Sequence, residues 1–159
     1  MDLKDYIRSI KDYPKKGILF RDITTLIKNE TAFEESINQI VERSKKFKID
    51  KIAAIESRGF VFASAVSYIL KKPFIMLRKK NKLPADVHSV DFELEYGTAT
   101  IEVHKDSISE NDSVLIIDDL IATGGTAEAA AKLVEISKGN IAAFIFVINL
   151  FDLGGCDNL

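Results

Sequence analysis

The sequence has few residues of the kinds that mark a secreted or membrane protein. It contains a single cysteine, Cys156, so no disulfide can form within the chain and a reducing cytoplasm is the expected location. The N-terminal stretch lacks the charged and apolar regions of a signal peptide. The longest apolar run, residues 141–148, is too short to cross a bilayer, so no membrane association is expected.

Several charge and ligand-binding patterns are also missing. The net charge of −2 gives no electrostatic reason to expect nucleic acid as a partner, and the basic cluster at residues 78–82 is local. The chain has neither a Gly-x-x-x-x-Gly-Lys-Ser/Thr loop nor a Gly-x-Gly-x-x-Gly turn, which argues against P-loop and dinucleotide-binding proteins. His88 and His104 have no second histidine or cysteine at ligand spacing, and Cys156 has no basic neighbour. Neither a transition-metal site nor a thiol nucleophile is therefore expected.

What is present is the pattern of a globular α/β chain. Of its 159 residues, 47% are hydrophobic and 29% are charged, which predicts one domain over residues 1–159 with a sizeable core. Apolar residues at helical spacing predict an N-terminal helix through Leu3, Tyr6 and Ile10 and later helices between strands. Short apolar runs predict those strands at residues 52–55, 73–77, 114–117 and 141–149. The alternation favours a central, mostly parallel, twisted sheet flanked by helices.

The segment 114–126 carries the clearest functional signal. Asp118 and Asp119 follow an apolar strand, and a helix-forming run begins at Ala127. The small turn between them consists of Ala122, Thr123, Gly124, Gly125 and Thr126. Backbone N–H groups at such a helix start bind phosphate, and carboxylates accept hydrogen bonds from sugar hydroxyls or hold Mg²⁺ through water. A solvated turn is the alternative, but the combination predicts a sugar-phosphate site.

Three other segments fit either a ligand site or ordinary structure. A short apolar strand runs into a helix through Glu56, Ser57, Arg58 and Gly59, where an arginine fork suits phosphate oxygens, although a surface arginine fits equally well. Residues 79–97 include Lys79 and Lys82, and their first part is polar and aperiodic, which predicts a flexible flap or a solvated face. Residues 18–23 alone favour an edge strand with Phe20 in the core.

In all four segments the sequence resembles the type I phosphoribosyltransferases, over residues 13–155. The resemblance implies the fold of that family, with an N-terminal helix and base-binding hood at residues 1–30 and a flexible flap at 79–97. It implies that Asp118 and Asp119 hold the ribose of phosphoribosyl pyrophosphate (PRPP), and that residues 122–126 hold its 5′-phosphate. The implied pyrophosphate contacts are Glu56, Ser57, Arg58, Gly59, Lys79 and Lys82. In this family the loop at Glu56–Ser57 often carries a cis peptide.

The form of these motifs is similar to that of the adenine-using branch of the family. The resemblance implies that Phe20 stacks on adenine and that the backbone of Leu19 and Arg21 hydrogen-bonds its edge. Glu95 and Tyr96, with Arg58 and Lys79, are the implied catalytic residues. The implied reaction transfers the phosphoribosyl group from PRPP to adenine, with Mg²⁺ carried by PRPP, in a cytoplasmic homodimer.

Two rival functions use the same residues. One is a sibling transferase acting on xanthine, hypoxanthine or orotate, and the forms of the loop and hood argue against it. The other is a non-catalytic regulator that senses PRPP or nucleotides, and the presence of the flap residues argues against that. The family normally continues past residues 149–155 with a helix and a closing strand, so a truncated chain with an exposed apolar sheet edge is expected.

Overall fold

A computed structural model describes residues 1–94, 97–149 and 154–159 of the chain. The chain divides into two compact units, Met1–Arg43 and Ser44–Leu159. Among the described residues, no helix is both long enough and apolar enough to cross a membrane.

The first unit contains a small antiparallel sheet followed by helices. A 3-10 turn at Leu3–Tyr6 precedes β1 (Arg8–Lys11), which pairs with β2 (Leu19–Asp22); α1 (Thr24–Lys28) and α2 (Glu30–Ser44) follow. The predicted N-terminal helix is therefore wrong beyond its first turn. An isolated helix of that length is not stable, whereas β1 gains ladder hydrogen bonds and an ion pair in which Arg8 Nε lies 3.0 Å from Asp22 Oδ2.

The second unit is built on a mixed sheet. In the described part of the chain it has the strand order β5-β6-β4-β3-β7-β8, with β3, β4, β7 and β8 parallel. The antiparallel pair β5 and β6 extends the sheet beyond β4. The strand bounds are β3 Lys51–Ile55, β4 Phe74–Lys79, β5 Val87–Leu94, β6 Gly97–His104, β7 Ser113–Ile121 and β8 Asn140–Asn149. This confirms the predicted α/β fold with a mostly parallel sheet.

Two helices flank this sheet and begin just past strand ends. α3 (Arg58–Leu70) packs on β3 and β7, and α4 (Gly125–Ile136) packs on β5 and β8. The buried side chains of α3 include Phe62, Ala63 and Val66, which recur at helical spacing and define one apolar face. Packing against the sheet therefore directs the N-terminal ends of both helices toward the carboxyl ends of β3 and β7.

Two predicted boundaries are corrected by the structure. β7 does not end at Ile117 but continues to Ile121, because β8 remains paired with it as far as Asn149. The acidic pair thus lies inside a strand. The flap segment is also more regular than predicted, since Val87–Leu94 forms β5 at the sheet edge, where mostly solvent-facing side chains hide the period of a strand.

Candidate functional site

A cavity of about 440 Å³ lies at the carboxyl ends of β3 and β7. This edge of an open α/β sheet is where ligands bind. Most of the residues predicted for the sugar phosphate and the pyrophosphate line it: Glu56, Ser57, Arg58, Lys79, Asp118, Asp119, Ala122, Thr123, Gly124, Gly125 and Thr126. The segments that sequence analysis singled out separately therefore meet in one place.

The acidic pair is held by the strand and by a cation. The side chain of Asp119 is 8% exposed, and its Oδ2 lies 2.9 Å from Nε of Arg58, whose own side chain is 51% exposed. The backbone N–H of Asp119 donates to Oδ1 of Asp118 at 2.8 Å. Arg58 thus balances one carboxylate of the pair, while Asp118 has no ion pair of comparable length among the described residues.

The environment of Asp118 favours its protonated form. Burial, together with the side-chain hydrogen bond to Asp119 and the charge of Asp119, raises the pKa of Asp118 to about 8, against the smaller opposing effects of the backbone hydrogen bond from Asp119 and the charge of Arg58. Two adjacent carboxylates in one cavity cannot both ionise easily without a cation between or beside them. The pair therefore prefers a ligand that brings positive charge or hydroxyl donors.

Glu56 fastens the loop at residues 56–59 to the end of β4. Its Oε1 accepts hydrogen bonds from Nε of Arg78 at 3.0 Å and from the backbone N–H of Lys79 at 3.2 Å. Burial opposes ionisation of Glu56, but these hydrogen bonds and the charge of Arg78 outweigh it and lower its pKa. The peptide bond between Glu56 and Ser57 is cis. The Glu56 carboxylate therefore binds Arg78 and the backbone of Lys79, and it holds Lys79 beside the cavity.

The small turn leads directly into α4. Gly124 precedes the helix with φ +94°, a left-handed conformation that glycine adopts without steric cost. The first backbone N–H groups of α4 have no partner within the helix and carry its partial positive charge. An ideal Cβ on Gly125 would lie 3.7 Å from the carbonyl oxygen of Glu93, so β5 runs close beside this helix start.

Gly59 allows α3 to approach the acidic pair closely. An ideal Cβ at this position would lie 2.9 Å from Oδ1 of Asp118 and 3.2 Å from the carbonyl oxygen of Ile117. Gly59 is buried and does not line the cavity, so it shapes the site through packing.

The other predicted site residues are distributed as follows. Lys82 follows β4 and does not line the cavity, although its N–H donates to the carbonyl oxygen of Lys79 at 3.3 Å. Leu19, Phe20 and Arg21 form β2 of the first unit. Glu95 and Tyr96 lie outside the described residues.

Sequence reasoning missed two contributors to this region. Phe146 of β8 lines the cavity because its position pairs with Asp118 across the sheet. Nothing in the run of apolar residues that contains Phe146 distinguishes it from a core residue. Arg78 was seen as part of a basic cluster, but its pairing with Glu56 depends on the parallel register of β3 and β4.

The fold and the cavity define a phosphoribosyltransferase. The phosphoribosyl transferase domain matches residues 22–149, and the chain belongs to this family.

Within the family, the chain groups with the adenine phosphoribosyltransferases. It is 86% identical to that enzyme from Pelagibacter ubique over 159 residues, which is 100% of this chain and 91% of the relative. The crystal structure of adenine phosphoribosyltransferase from Thermoanaerobacter pseudethanolicus matches with a TM-score of 0.95 and 46% identity over 98% of this chain and 90% of that one. The Saccharomyces cerevisiae enzyme, complexed with an iminoaltritol bisphosphate and adenine, matches with a TM-score of 0.93 and 36% identity over 99% and 92% of the two chains.

Proposed function

We propose that this chain transfers the 5-phosphoribosyl group from PRPP to N9 of adenine, giving AMP and pyrophosphate. This is a pentosyltransferase reaction of purine salvage. The observation that carries the proposal is the cavity in which Asp118, Asp119, Arg58 and the turn at residues 122–126 meet. Its high identity to adenine phosphoribosyltransferases supports adenine as the base.

In the proposed complex, the parts of PRPP occupy separate parts of the cavity. The 5′-phosphate binds the N–H groups of residues 122–126 at the start of α4, where the helix dipole favours an anion. The ribose hydroxyls donate to Asp118 and Asp119, which can accept several hydrogen bonds when ionised. Support for this assignment comes from the motif order and from the common cavity that these residues line.

The pyrophosphate is assigned to the loop at residues 56–59 together with Lys79 and Lys82. Departure of pyrophosphate leaves positive charge on the anomeric carbon, and cationic side chains balance the negative charge that collects on the leaving group. Arg58 and Lys79 supply this balance from the cavity wall. The flap, with Glu95 and Tyr96, is assigned the exclusion of water and contact with the purine, because water would hydrolyse the activated sugar.

The remaining role of the protein is to align adenine with the anomeric carbon of PRPP. No covalent enzyme intermediate is required, since N9 of adenine attacks the anomeric carbon on the face opposite pyrophosphate, inverts it from α to β and displaces pyrophosphate. The purine gives up its ring N–H proton to a base, the role assigned to Glu95. Holding the two reactants in this geometry can supply roughly 7–11 kcal/mol of the barrier.

Mg²⁺ fits the acidic pair as a cation that arrives with PRPP. The described residues contain no group of three or more His, Cys, Asp or Glu side chains gathered to hold a metal. Two carboxylates with a raised pKa on Asp118 nonetheless favour a neighbouring cation, held through water. When bound, the cation would offset the negative charge of the departing pyrophosphate.

Adenine recognition is assigned to the hood in residues 1–30. Phe20 presents an aromatic ring for stacking, and Tyr13 packs against its edge with ring centroids 5.1 Å apart. The backbone at Leu19 and Arg21 is assigned an N–H toward N1 of adenine and a carbonyl toward its 6-amino group. Hypoxanthine reverses this donor and acceptor order, which costs roughly 1–3 kcal/mol for each buried group left unpaired.

A homodimer is also part of the proposal. The outer face of α3 carries exposed apolar side chains, with Tyr68 85% exposed and Val61 and Ile69 partly so. Val61 lies one turn from Arg58 on this helix, so a second copy packed there would border the pyrophosphate loop. We also propose that residues 1–159 form one phosphoribosyltransferase domain and that the protein is located in the cytoplasm.

One experiment tests the reaction and separates it from its rivals. Purified protein is supplied with Mg²⁺-PRPP and adenine, hypoxanthine, guanine, xanthine or orotate, and nucleotide formation is followed by chromatography. AMP with adenine is expected. Nucleotide from another base in preference to adenine would indicate a sibling transferase, and PRPP binding without any product would indicate a regulator.

A further inference from the structure

The turn at residues 122–126 packs against a segment that does not line the cavity. Gly155 begins the 3-10 turn Gly155–Asn158 and is buried. An ideal Cβ on Gly155 would lie 2.3 Å from the carbonyl oxygen of Ala122 and 2.8 Å from Cγ1 of Ile121. Neither distance leaves room for a carbon atom, so a side chain at this position requires the turn or the segment 154–159 to move.

The contact is reciprocal. An ideal Cβ on Gly124 would lie 2.7 Å from the carbonyl oxygen of Gly155. Backbone therefore meets backbone on both sides, with no flexible side chain between them that could absorb a displacement. Gly124 immediately precedes α4, so a shift of Gly124 also moves the N–H groups at the helix start.

We propose that Gly155 is a positioning residue for PRPP, which it never touches. This inference rests on the proposed function of the turn as the 5′-phosphate site. The turn consists of small residues, whose short side chains offer few atoms to hold it, whereas phosphate binding needs its N–H groups held to a fraction of an ångström. Contact with the backbone of Gly155 fixes the position of the turn. PRPP binding to the turn in return stabilises the segment 154–159 that packs against it.

The substitution Gly155→Ala tests the inference through kinetics. A misplaced phosphate turn is expected to raise the KM for PRPP by about 10- to 100-fold, while the KM for adenine changes by less than about threefold. Gly139→Ala is the matched control. Its Cβ would lie 2.9 Å from Cγ2 of Ile108 and 3.1 Å from Cγ1 of Val134, a milder overlap with side chains near the C-terminal end of α4, away from the turn. The control is expected to lower the melting temperature and leave the KM for PRPP within about twofold.

A measurement on the unsubstituted protein covers the case in which Gly155→Ala fails to fold. Hydrogen–deuterium exchange is followed with and without Mg²⁺-PRPP. Slower exchange is expected in residues 122–126 and also in residues 154–159, although none of the latter, as the structure describes them, lines the cavity. Protection of the turn alone would overturn the proposal, as would an unchanged KM for PRPP in folded Gly155→Ala.

The two hypotheses fail in different ways. Wild-type protein that binds PRPP but forms no AMP from adenine overturns the proposed function, while the exchange experiment still decides the role of Gly155. Active wild-type protein with a Gly155→Ala variant of normal PRPP kinetics overturns only the inference about Gly155.

Discussion

Nε of Arg58 lies 2.9 Å from Oδ2 of Asp119, which joins the first residue of α3 to β7. The pair links the proposed pyrophosphate and ribose subsites before any substrate arrives. Because the Arg58 side chain is half-exposed, the ion pair contributes little to stability. Arg58 can therefore exchange the carboxylate for a phosphate oxygen at small cost.

The acidic pair is expected to determine PRPP affinity. Asp118→Asn combined with Asp119→Asn should weaken PRPP binding by about 100-fold or more, since a hydrogen bond to a charged group is worth roughly 1.5–3 kcal/mol. Calorimetric titration with Mg²⁺-PRPP measures the loss. Asp112→Asn is a matched control, because Asp112 pairs with Lys51 at 2.8 Å and does not line the cavity. Equal affinities in the double variant and the wild type would refute the ribose assignment.

The raised pKa of Asp118 predicts a pH dependence of stability. Between the ordinary value of 3.8 and the folded value of about 8, the folded protein retains a proton that the unfolded chain has released. The contribution of Asp118 to the free energy of unfolding therefore falls as pH rises through this window. Asp118→Asn removes that loss. The melting temperature of the variant, relative to that of the wild type, should therefore increase between about pH 5 and about pH 8. A difference in melting temperature between variant and wild type that stays constant with pH would contradict the raised pKa of Asp118.

Lys79 is expected to act on the leaving group. Lys79→Ala should lower kcat/KM for PRPP by about 10- to 100-fold, because it removes a cation from the wall of the cavity. Lys80→Ala serves as the control, since Lys80 is the next residue and does not line the cavity. Steady-state kinetics of both variants measure the difference. Similar losses in the two would point to a general effect of local charge.

Phe20 is expected to contribute to the binding of adenine and not to the binding of PRPP. Phe20→Ala should raise the KM for adenine about 5- to 100-fold, because stacking on an aromatic ring is worth roughly 1–3 kcal/mol for a base. The KM for PRPP should change little. Phe47→Ala, at a partly exposed phenylalanine of the other unit, is the control. An unchanged KM for adenine in folded Phe20→Ala would remove Phe20 from the proposed base site.

The exposed face of α3 is expected to be covered by a second copy of the chain. Tyr68→Glu places a charge at the most exposed of these three apolar residues and should shift the protein from dimer to monomer. Sedimentation velocity at several concentrations measures the shift. Ile136→Glu, at an exposed apolar residue of α4, should leave the dimer intact. A wild-type protein that sediments as a monomer would refute the proposed assembly.

The sequence predicted the sheet and the cavity because both follow from local patterns. Apolar runs indicated β3, β4, β7 and β8, and the polar residues after two of them converge because parallel strands end at one edge of a sheet. Arg58 and Asp119 therefore lie together even though 61 positions separate them in the chain. The subsite roles came from the family resemblance, which spacing alone could not supply.

What could not be predicted depends on contacts between distant segments. The length of β7 is set by its pairing with β8, and the strand β1 replaces a helix because β2 offers it hydrogen bonds. The start of α2 depends on Asn29, whose side-chain oxygen accepts a hydrogen bond from the N–H of Ala32 at 2.9 Å, and the helix begins at Glu30. Gly155 packs against the backbone of Ala122, but nothing in the sequence distinguishes Gly155 from the other glycines, so this contact could not be predicted.

The extension of β7 through Ile121 has a thermodynamic consequence for the ligand. Carboxylates carried on a loop would lose conformational entropy each time a substrate ordered them. Here the backbone of Asp118 and Asp119 is already fixed by the ladder with β8, and that entropy was lost when the chain folded. Less of the intrinsic interaction energy with a ligand, the ribose in our proposal, is then consumed by ordering, and more is retained as affinity.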